Sequence, residues 1–277
     1  MSISSTPEGV TVSPRHLTFD VASDLKTLWH GNDAFRTAFF NALSLQFPEG
    51  EQQFINAVRH YRDRIDDPKL AAEIRGFIGQ EALHSREHLH YNEALKGRNY
   101  DVEAIDRRFH NHMKWVKKLS PSRQLAGTCG AEHYTAVLAN AILEHPEWME
   151  DASPAMKRLW RWHAIEETEH KSVAFDVYRH CVGNENLRRV VFVFVTFNFF
   201  KYTFLNTCSL LRTEGKLWSV STWLGGLNFL WGKPGVLRGC LPEILAYFRK
   251  DFHPWQQDNR RLLEVSLSEL ESTAHPV

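Results

Sequence analysis

The sequence predicts an all-α fold, a bundle of long helices continued by additional C-terminal helices. Two observations carry that expectation. Three long segments with helical periodicity open on a capping residue followed by proline: Asp67-Pro68, Ser120-Pro121 and Ser153-Pro154. The capping side chain meets an amide that has no partner inside the helix, and proline at the first helical position lacks the N–H that would be orphaned there. No segment alternates between apolar and polar residues as a half-buried strand does.

In chain order, residues 1–30 open with MSISSTPEGVTVSPRH. This stretch is polar, rich in Ser, Thr and Pro, and lacks the pattern of a secretory signal. It reads as a flexible arm, disordered or loosely draped. NDAFRTAFFNALSLQF and PEGEQQFINAVRHYRDRI follow as helical stretches, with a break or kink expected at Pro48 and Gly50. The next helix is capped by Asp67 and stops at Gly97; another starts at Asp101 and ends in lysines. A third opens at Ser120, and a fourth reads as one run from Ser153 to Gly183. Three shorter helices are expected near Leu217–Trp231, Val236–Lys250 and Gln256–Glu271. Residues 31–277 thus form one helical domain, with a C-terminal extension from about residue 184.

Lys plus Arg number 33 and Asp plus Glu 33, so the chain has no basic excess and nucleic acid is not an expected partner. The 15 His, 9 Trp and 18 Phe suit an aromatic interior or pocket. None of the four Cys forms a C-x-x-C pair, so buried free thiols in a reducing compartment, and a cytoplasmic location, are expected. Val190–Leu211 is apolar but interrupted by Asn198, Lys201 and Asn206. A membrane span wants about 20 apolar residues with few charges. A buried core helix is the leading reading; a helix on a membrane surface and a true span are the alternatives. Such a surface and a second copy of the chain are the macromolecular partners left open.

Glu-x-x-His occurs at Glu81–His84, Glu87–His90 and Glu167–His170. Residues i and i+3 on a helix are neighbours, so a carboxylate and an imidazole at that spacing address one partner. Glu87 is rotated away from the Glu81–His84 face and reads as a chance match. Glu51 precedes the first remaining pair, and Glu132 lies between the two pairs. Each Glu alone is explained by solvation or by an ion pair, such as Glu132 with Arg75. Carboxylates among apolar neighbours are costly to bury unless paired or metal-bound, and the six residues in this order favour a shared metal site.

That order resembles the ferritin-like carboxylate-bridged two-metal proteins. His163 falls with Glu167 and His170 within a roughly 60° arc. The resulting three-ligand helix resembles the di-iron oxygenases typified by p-aminobenzoate N-oxygenase, where an additional His completes a seven-ligand set. The resemblance implies Glu51, Glu81, His84, Glu132, His163, Glu167 and His170 as ligands of two Fe ions, with Mn as the alternative. It also implies O2, an electron donor and a small apolar or aromatic substrate. Over about residues 30–260 the chain is similar to the predicted metal-dependent hydrolases, sharing FPEGE, QEALHSREH, AIEETEHK and FHPW. That likeness implies a two-metal hydrolase as the alternative activity. A non-catalytic helical protein that binds a partner or a membrane surface is a further one. Glu51 departs from the pattern by lying near a helix start. His88, on the Glu81 face, is expected behind the ligands or as a substitute for one. Glu166 and Glu169 are expected to be solvated or to stand behind the ligands. His133 is expected to face elsewhere, and His253 to cap its loop, with a place in the pocket as the alternative.

Overall fold

The computed structural model describes residues 3–272. The helices are α1 (Ala34–Ser44), α2 (Phe47–Arg59), α3 (Pro68–Leu95), α4 (Val102–Val116), α5 (Pro121–Glu144), α6 (Pro154–His170), α7 (Val173–Cys181), α8 (Glu185–Thr213), α9 (Val220–Trp231), α10 (Val236–Ala246) and α11 (Arg260–Ser272). Among the described residues there is no strand, only an isolated bridge between His30 and Ala152. The fold is the all-α bundle with added C-terminal helices that the sequence predicts. The aspartate caps act as expected: Asp67 accepts from the Lys69 amide at 3.0 Å and Asp101 from the Ala104 amide at 3.0 Å. Ser120 and Ser153 hold the cap positions without a side-chain bond to a helix amide, because the Ser120 hydroxyl meets Ser122 at 3.2 Å and the Ser153 hydroxyl donates to Asp24 at 2.6 Å.

Four helices close a ring: α2 packs on α3, α3 on α6, α6 on α5 and α5 on α2. Outside it, α8 lies against α1 and α5, α7 against α3 and α5, and α11 against α5 and α6. The inward stripe of α3 reads Leu70, Ile74, Phe77, Glu81, His84, His88, Tyr91, Leu95, all buried. Its spacing is that of one helical face. The stripe is apolar at both ends and polar in the middle, and the apolar ends seal that middle from water.

Several boundaries differ from the sequence reading. The break between α1 and α2 falls at Leu45–Gln46, ahead of Pro48, because proline is accommodated in the first turn of a helix. The run from Ser153 to Gly183 is two helices, parted at Lys171 and Ser172. There the Lys171 ammonium donates to the Gln257 carbonyl at 2.8 Å and to Asn259 Oδ1 at 2.9 Å. Ser172 Oγ accepts from Trp255 Nε1 at 3.1 Å. Long-range contacts, not a Pro or Gly, make this break. His253 caps its loop, accepting from the Trp255 amide at 3.2 Å, and meets Asp176 at 3.0 Å. The four cysteines are free thiols; Cys129 and Cys240 are buried as expected, whereas Cys181 and Cys208 are only partly so.

The arm, expected to be flexible, is strapped across α3, α6 and α7 in its described part. The Ile3 and Ser4 amides donate to Asp67 at 2.6 and 3.1 Å, Ser4 Oγ to Glu73 at 2.8 Å, and the Ser5 amide to Asp176 at 2.9 Å. Gly76 and Gly79 let it approach α3 closely: a Cβ on Gly76 would lie 2.1 Å from the Val12 carbonyl oxygen, and one on Gly79 2.5 Å from Pro14. Residues 1–2 and 273–277, part of the arm and domain expectations, lie outside the described residues.

The favoured reading of Val190–Leu211 as a buried core helix does not hold. α8 buries Phe192, Tyr202, Asn206 and Leu210, while Val190, Val193, Phe194, Phe197 and Phe204 are each more than half exposed. Apolar residues occupy both faces, so apolarity did not mark which face is inside. The buried Arg188 ties α8 to the chain after α10, donating to the Tyr247 carbonyl at 2.5 Å and the Arg249 carbonyl at 2.9 Å, and to Glu185 at 2.7 Å. Arg188→Leu strands those acceptors and is expected to cost about 3 kcal/mol in urea unfolding. A loss below about 1 kcal/mol, the size of an ordinary substitution, would show that this anchor is dispensable.

Candidate metal centre

The middle of the ring holds Glu51 from α2, Glu81 and His84 from α3, Glu132 from α5, and His163, Glu167 and His170 from α6, all buried. Their donor atoms fall into overlapping groups: Glu81, Glu132, Glu167 and His170; His84, His163 and Glu167; and Glu51, Glu81 and His84. Glu167 joins the first two. Its Oε2 is 3.5 Å from His170 Nε2, while its Oε1 is 3.4 Å from His84 Nδ1 and 3.1 Å from His163 Nε2. One carboxylate thus offers an oxygen to each half of the cluster.

The remaining ring nitrogens fix the tautomers. His84 Nε2 lies 3.0 Å from Glu166 Oε2, and a carboxylate only accepts, so one proton sits on Nε2 and Nδ1 is left for a metal ion or a competing second proton. His170 Nδ1 donates to Gln80 Oε1 at 3.0 Å; the Gln80 amide is oriented by Nε2 donating to Glu169 Oε2 at 2.7 Å. His170 Nε2 is therefore bare. Asn92 Nδ2 donates to the Ser44 carbonyl at 3.1 Å, which presents Asn92 Oδ1 to the Ser44 hydroxyl at 2.8 Å. With its proton spent, Ser44 accepts from His88 Nδ1 at 2.8 Å, and His88 Nε2 accepts from His163 Nδ1 at 2.9 Å. His163 Nε2 is bare as well.

Three imidazole lone pairs thus face four carboxylates. Both oxygens of Glu51, Glu81 and Glu132, Oε2 of Glu167, Nδ1 of His84 and Nε2 of His170 have no hydrogen-bond partner. His170 Nε2 lies 3.1 Å from Glu81 Oε1 and 3.4 Å from Glu132 Oε2, yet outside hydrogen-bonding geometry. These atoms aim at common points instead of at each other. Orphaned acceptors in a dry interior are costly, and cations between them relieve that cost. The residues fit a two-metal group.

Protons compete for the same positions. Burial, reinforced by Glu81, holds Glu51 and Glu132 well above the ordinary carboxylate range, and burial raises Glu81. Burial also works on Glu167, but His170, His163 and His84 hold it well below that range. Burial opposes charge on His84, yet Glu166 and Glu167 lift it to about 10; His170 is raised through Glu167 and Glu81. Burial and His84 push His163 down to about 4.

One family model, described as predicted metal-dependent hydrolase, matches residues 13–258. The chain belongs to this family. No curated protein and no solved structure matches it. For a member of the predicted metal-dependent hydrolase family, the buried donor groups are candidates for the ligands that a metal dependence calls for. The matched span takes in the His253 loop and the arm residue Arg15, which the sequence does not tie to the site.

Arg15 sits at a node behind the donors. Its amide donates to Glu166 Oε1 at 2.8 Å, and its guanidinium to Glu169 at 2.5 and 2.8 Å. Glu166 then holds His84, and Glu169 holds His170 through Gln80. The solvated alternative for Glu166 and Glu169 is thereby overturned, since both are buried. Gln80 has a faint sequence signal, adjacency to Glu81; Arg15, in a non-periodic arm, has none. Glu87 is buried but bonded to Arg86 at 2.8 Å, apart from the donor groups, and His90 is largely exposed. Arg75 is exposed and is no partner for Glu132. His133 turns outward to the Glu243 carbonyl at 3.0 Å.

A cavity of about 460 Å3 adjoins the cluster between α2, α4, α5 and α8. Phe47, Phe54, Phe109, Val195 and Phe199 contribute to its wall, as does Glu51.

Mn(II) added to metal-free protein near neutral pH is expected to release protons, from His84, His170 and the raised carboxylates. Apparent affinity therefore climbs as pH rises. An indicator dye in weak buffer reads this directly; binding without proton release would show that His84, His170 and the buried carboxylates already lack those protons in the metal-free protein. Arg15→Ala leaves Glu166 and Glu169 without their cation and is expected to weaken metal affinity about tenfold, as loss of support behind a ligand does. An unchanged affinity would reduce Arg15 to an arm anchor.

Proposed function

We propose that this chain is a di-iron enzyme that uses O2 and an external electron donor to oxidise a small apolar substrate. One observation carries the reading: a carboxylate-rich, bare-imidazole cluster, sealed from water, that meets a chiefly apolar cavity at Glu51. A hard oxygen and nitrogen donor set suits Fe or Mn over thiolate-seeking metals. Four carboxylates balance two divalent cations without leaving net charge in a low-dielectric core. Two iron ions, when bound, supply the electrons and the Lewis acidity for reaction with O2.

The chain's own residues do the rest. Glu51, Glu81, His84, Glu132, His163, Glu167 and His170 would hold the ions; the two oxygens of Glu167 face His170 on one side and His84 and His163 on the other. Glu166, Gln80 and His88 keep each imidazole proton facing outward. The Phe and Val side chains of the cavity bind an apolar substrate and exclude water beside Glu51.

The family description favours a second reading, hydrolysis by two metals that acidify water. The chemistries separate under anaerobic conditions. Iron-loaded, chemically reduced protein is expected to consume O2 with a change in its visible spectrum, and to be inert towards aryl and alkyl esters without O2. Anaerobic ester turnover with no O2 uptake would sink the oxidative reading and establish the hydrolytic one. Glu167→Ala is expected to lower iron from two ions per chain to below one by elemental analysis, because both donor groups lose a member. Retained loading would remove Glu167 from the site. His163→Ala is expected to keep iron but change its O2 reactivity; an unchanged spectrum and rate would confine the centre to the other six residues.

A further inference from the structure

α8 and α9 present an apolar surface that the fold leaves uncovered. On α8 the exposed residues are Val190, Val193, Phe194, Phe197 and Phe204, spaced as one helical face. On α9 they are Val220, Leu224, Leu227 and Trp231, spaced likewise, and Trp218 ahead of α9 is 89% exposed. Phe204 meets Trp223 of α9 with ring centroids 5.9 Å apart, so the two faces are joined. An apolar patch of this extent marks an interaction surface.

Charge identifies what covers it. Residues 186–250 carry nine Lys and Arg against two Asp and Glu, in a chain that is neutral overall. The exposed cations Lys201, Arg212, Lys216, Lys233 and Arg238 belong to that segment. An apolar face rimmed by cations and exposed Trp matches the headgroup region of an anionic bilayer. A two-fold dimer through this face would set the excess positive charge against itself. α8 is long and apolar enough to cross a membrane by length and composition. Its other face, however, is packed on α1 and α5 and carries Thr203, Asn206 and Thr207. Crossing would mean leaving the bundle; lying on the surface does not.

The cavity beside Glu51 shares this surface. Val190 and Phe194 are at once more than half exposed and part of the cavity wall, as is Trp115 of α4, between the exposed Lys114 and Lys117.

We infer that the exposed face of α8 and α9 docks peripherally on an anionic phospholipid bilayer, with the mouth of the Glu51 cavity turned to the lipid. The substrate class is then a molecule dissolved in the bilayer, an assignment that rests on the enzyme activity proposed above; the docking does not. The test is sedimentation of the full chain with vesicles of phosphatidylcholine alone and of phosphatidylcholine with phosphatidylglycerol. Binding is expected to the anionic vesicles and to weaken with salt. Phe197→Asp and Leu224→Asp, neither in the cavity wall, are each expected to lower vesicle binding about tenfold while metal content stays unchanged. No binding to anionic vesicles, or binding insensitive to both substitutions, overturns the inference. So does a solution dimer that Phe197→Asp dissociates, which gives the face to a second copy. Metal content and O2 uptake of the same proteins, measured without vesicles, report separately on the proposed chemistry.

Discussion

The structure is organised around four carboxylates and three imidazoles that share a dry core with their lone pairs turned together. Burying even one unpaired carboxylate costs several kcal/mol or more. Glu51, Glu81, Glu132 and Glu167 are bearable only if cations or protons lie among them, and His84, His163 and His170 are each held by the far nitrogen to point inward. The apolar ends of the α3 stripe close the cluster above and below. α6 does the same with Met156 and Leu159 before His163, and Val173 and Val177 follow in α7. The core is hydrophobic in order to make its polar centre strong, since electrostatic and coordinate interactions gain as water is excluded.

The sequence made the donor set legible because ligand spacing and helical period are the same geometry. Glu81–His84 and Glu167–His170 had to share a face once they were helical, and all seven candidate positions lie together in the core. Glu51, placed near a helix start, is the fifth residue of α2 and reaches the cluster because α2 begins early, at Phe47. The partners behind the donors were less legible. His88 could be read from its phase, but Ser44 and Asn92 act through hydroxyl and amide orientation, which no periodicity reports. The break at Lys171–Ser172 has no local punctuation and exists because residues far along the chain bind there. α8 misled in the opposite sense: Phe192 and Phe199 face the bundle while Phe194 and Phe197 face out, and both sets look alike as letters.

The chain's zero net charge conceals a segregation with structural meaning. The positive excess lies in residues 186–250, from α8 to just past α10, and the acidic excess in the remainder, where much of it is buried as donors and their partners. Nothing in a total of 33 against 33 exposes that. The apolar face, its cations and the cavity mouth lie on the α8 side of the bundle, whereas the arm crosses α3 and α6. Approach to Glu51 through the cavity therefore need not disturb the residues that hold the imidazoles.

That separation explains why an irregular arm can matter to a helical site. Glu166 and Glu169 sit on α6 within reach of the donors, and each adds a negative charge to a region already overloaded. Arg15 compensates both, and only a segment lying across α3 and α6 can bring a guanidinium there. Gly76 and Gly79 make room for that crossing at Val12 and Pro14, just ahead of Arg15. A side chain at either glycine would lift the strap, loosen the hold on Glu166 and Glu169, and so free His84 and Gln80 to turn. The arm, which carries no helical signal of its own, is thus part of what orients the donors at the centre.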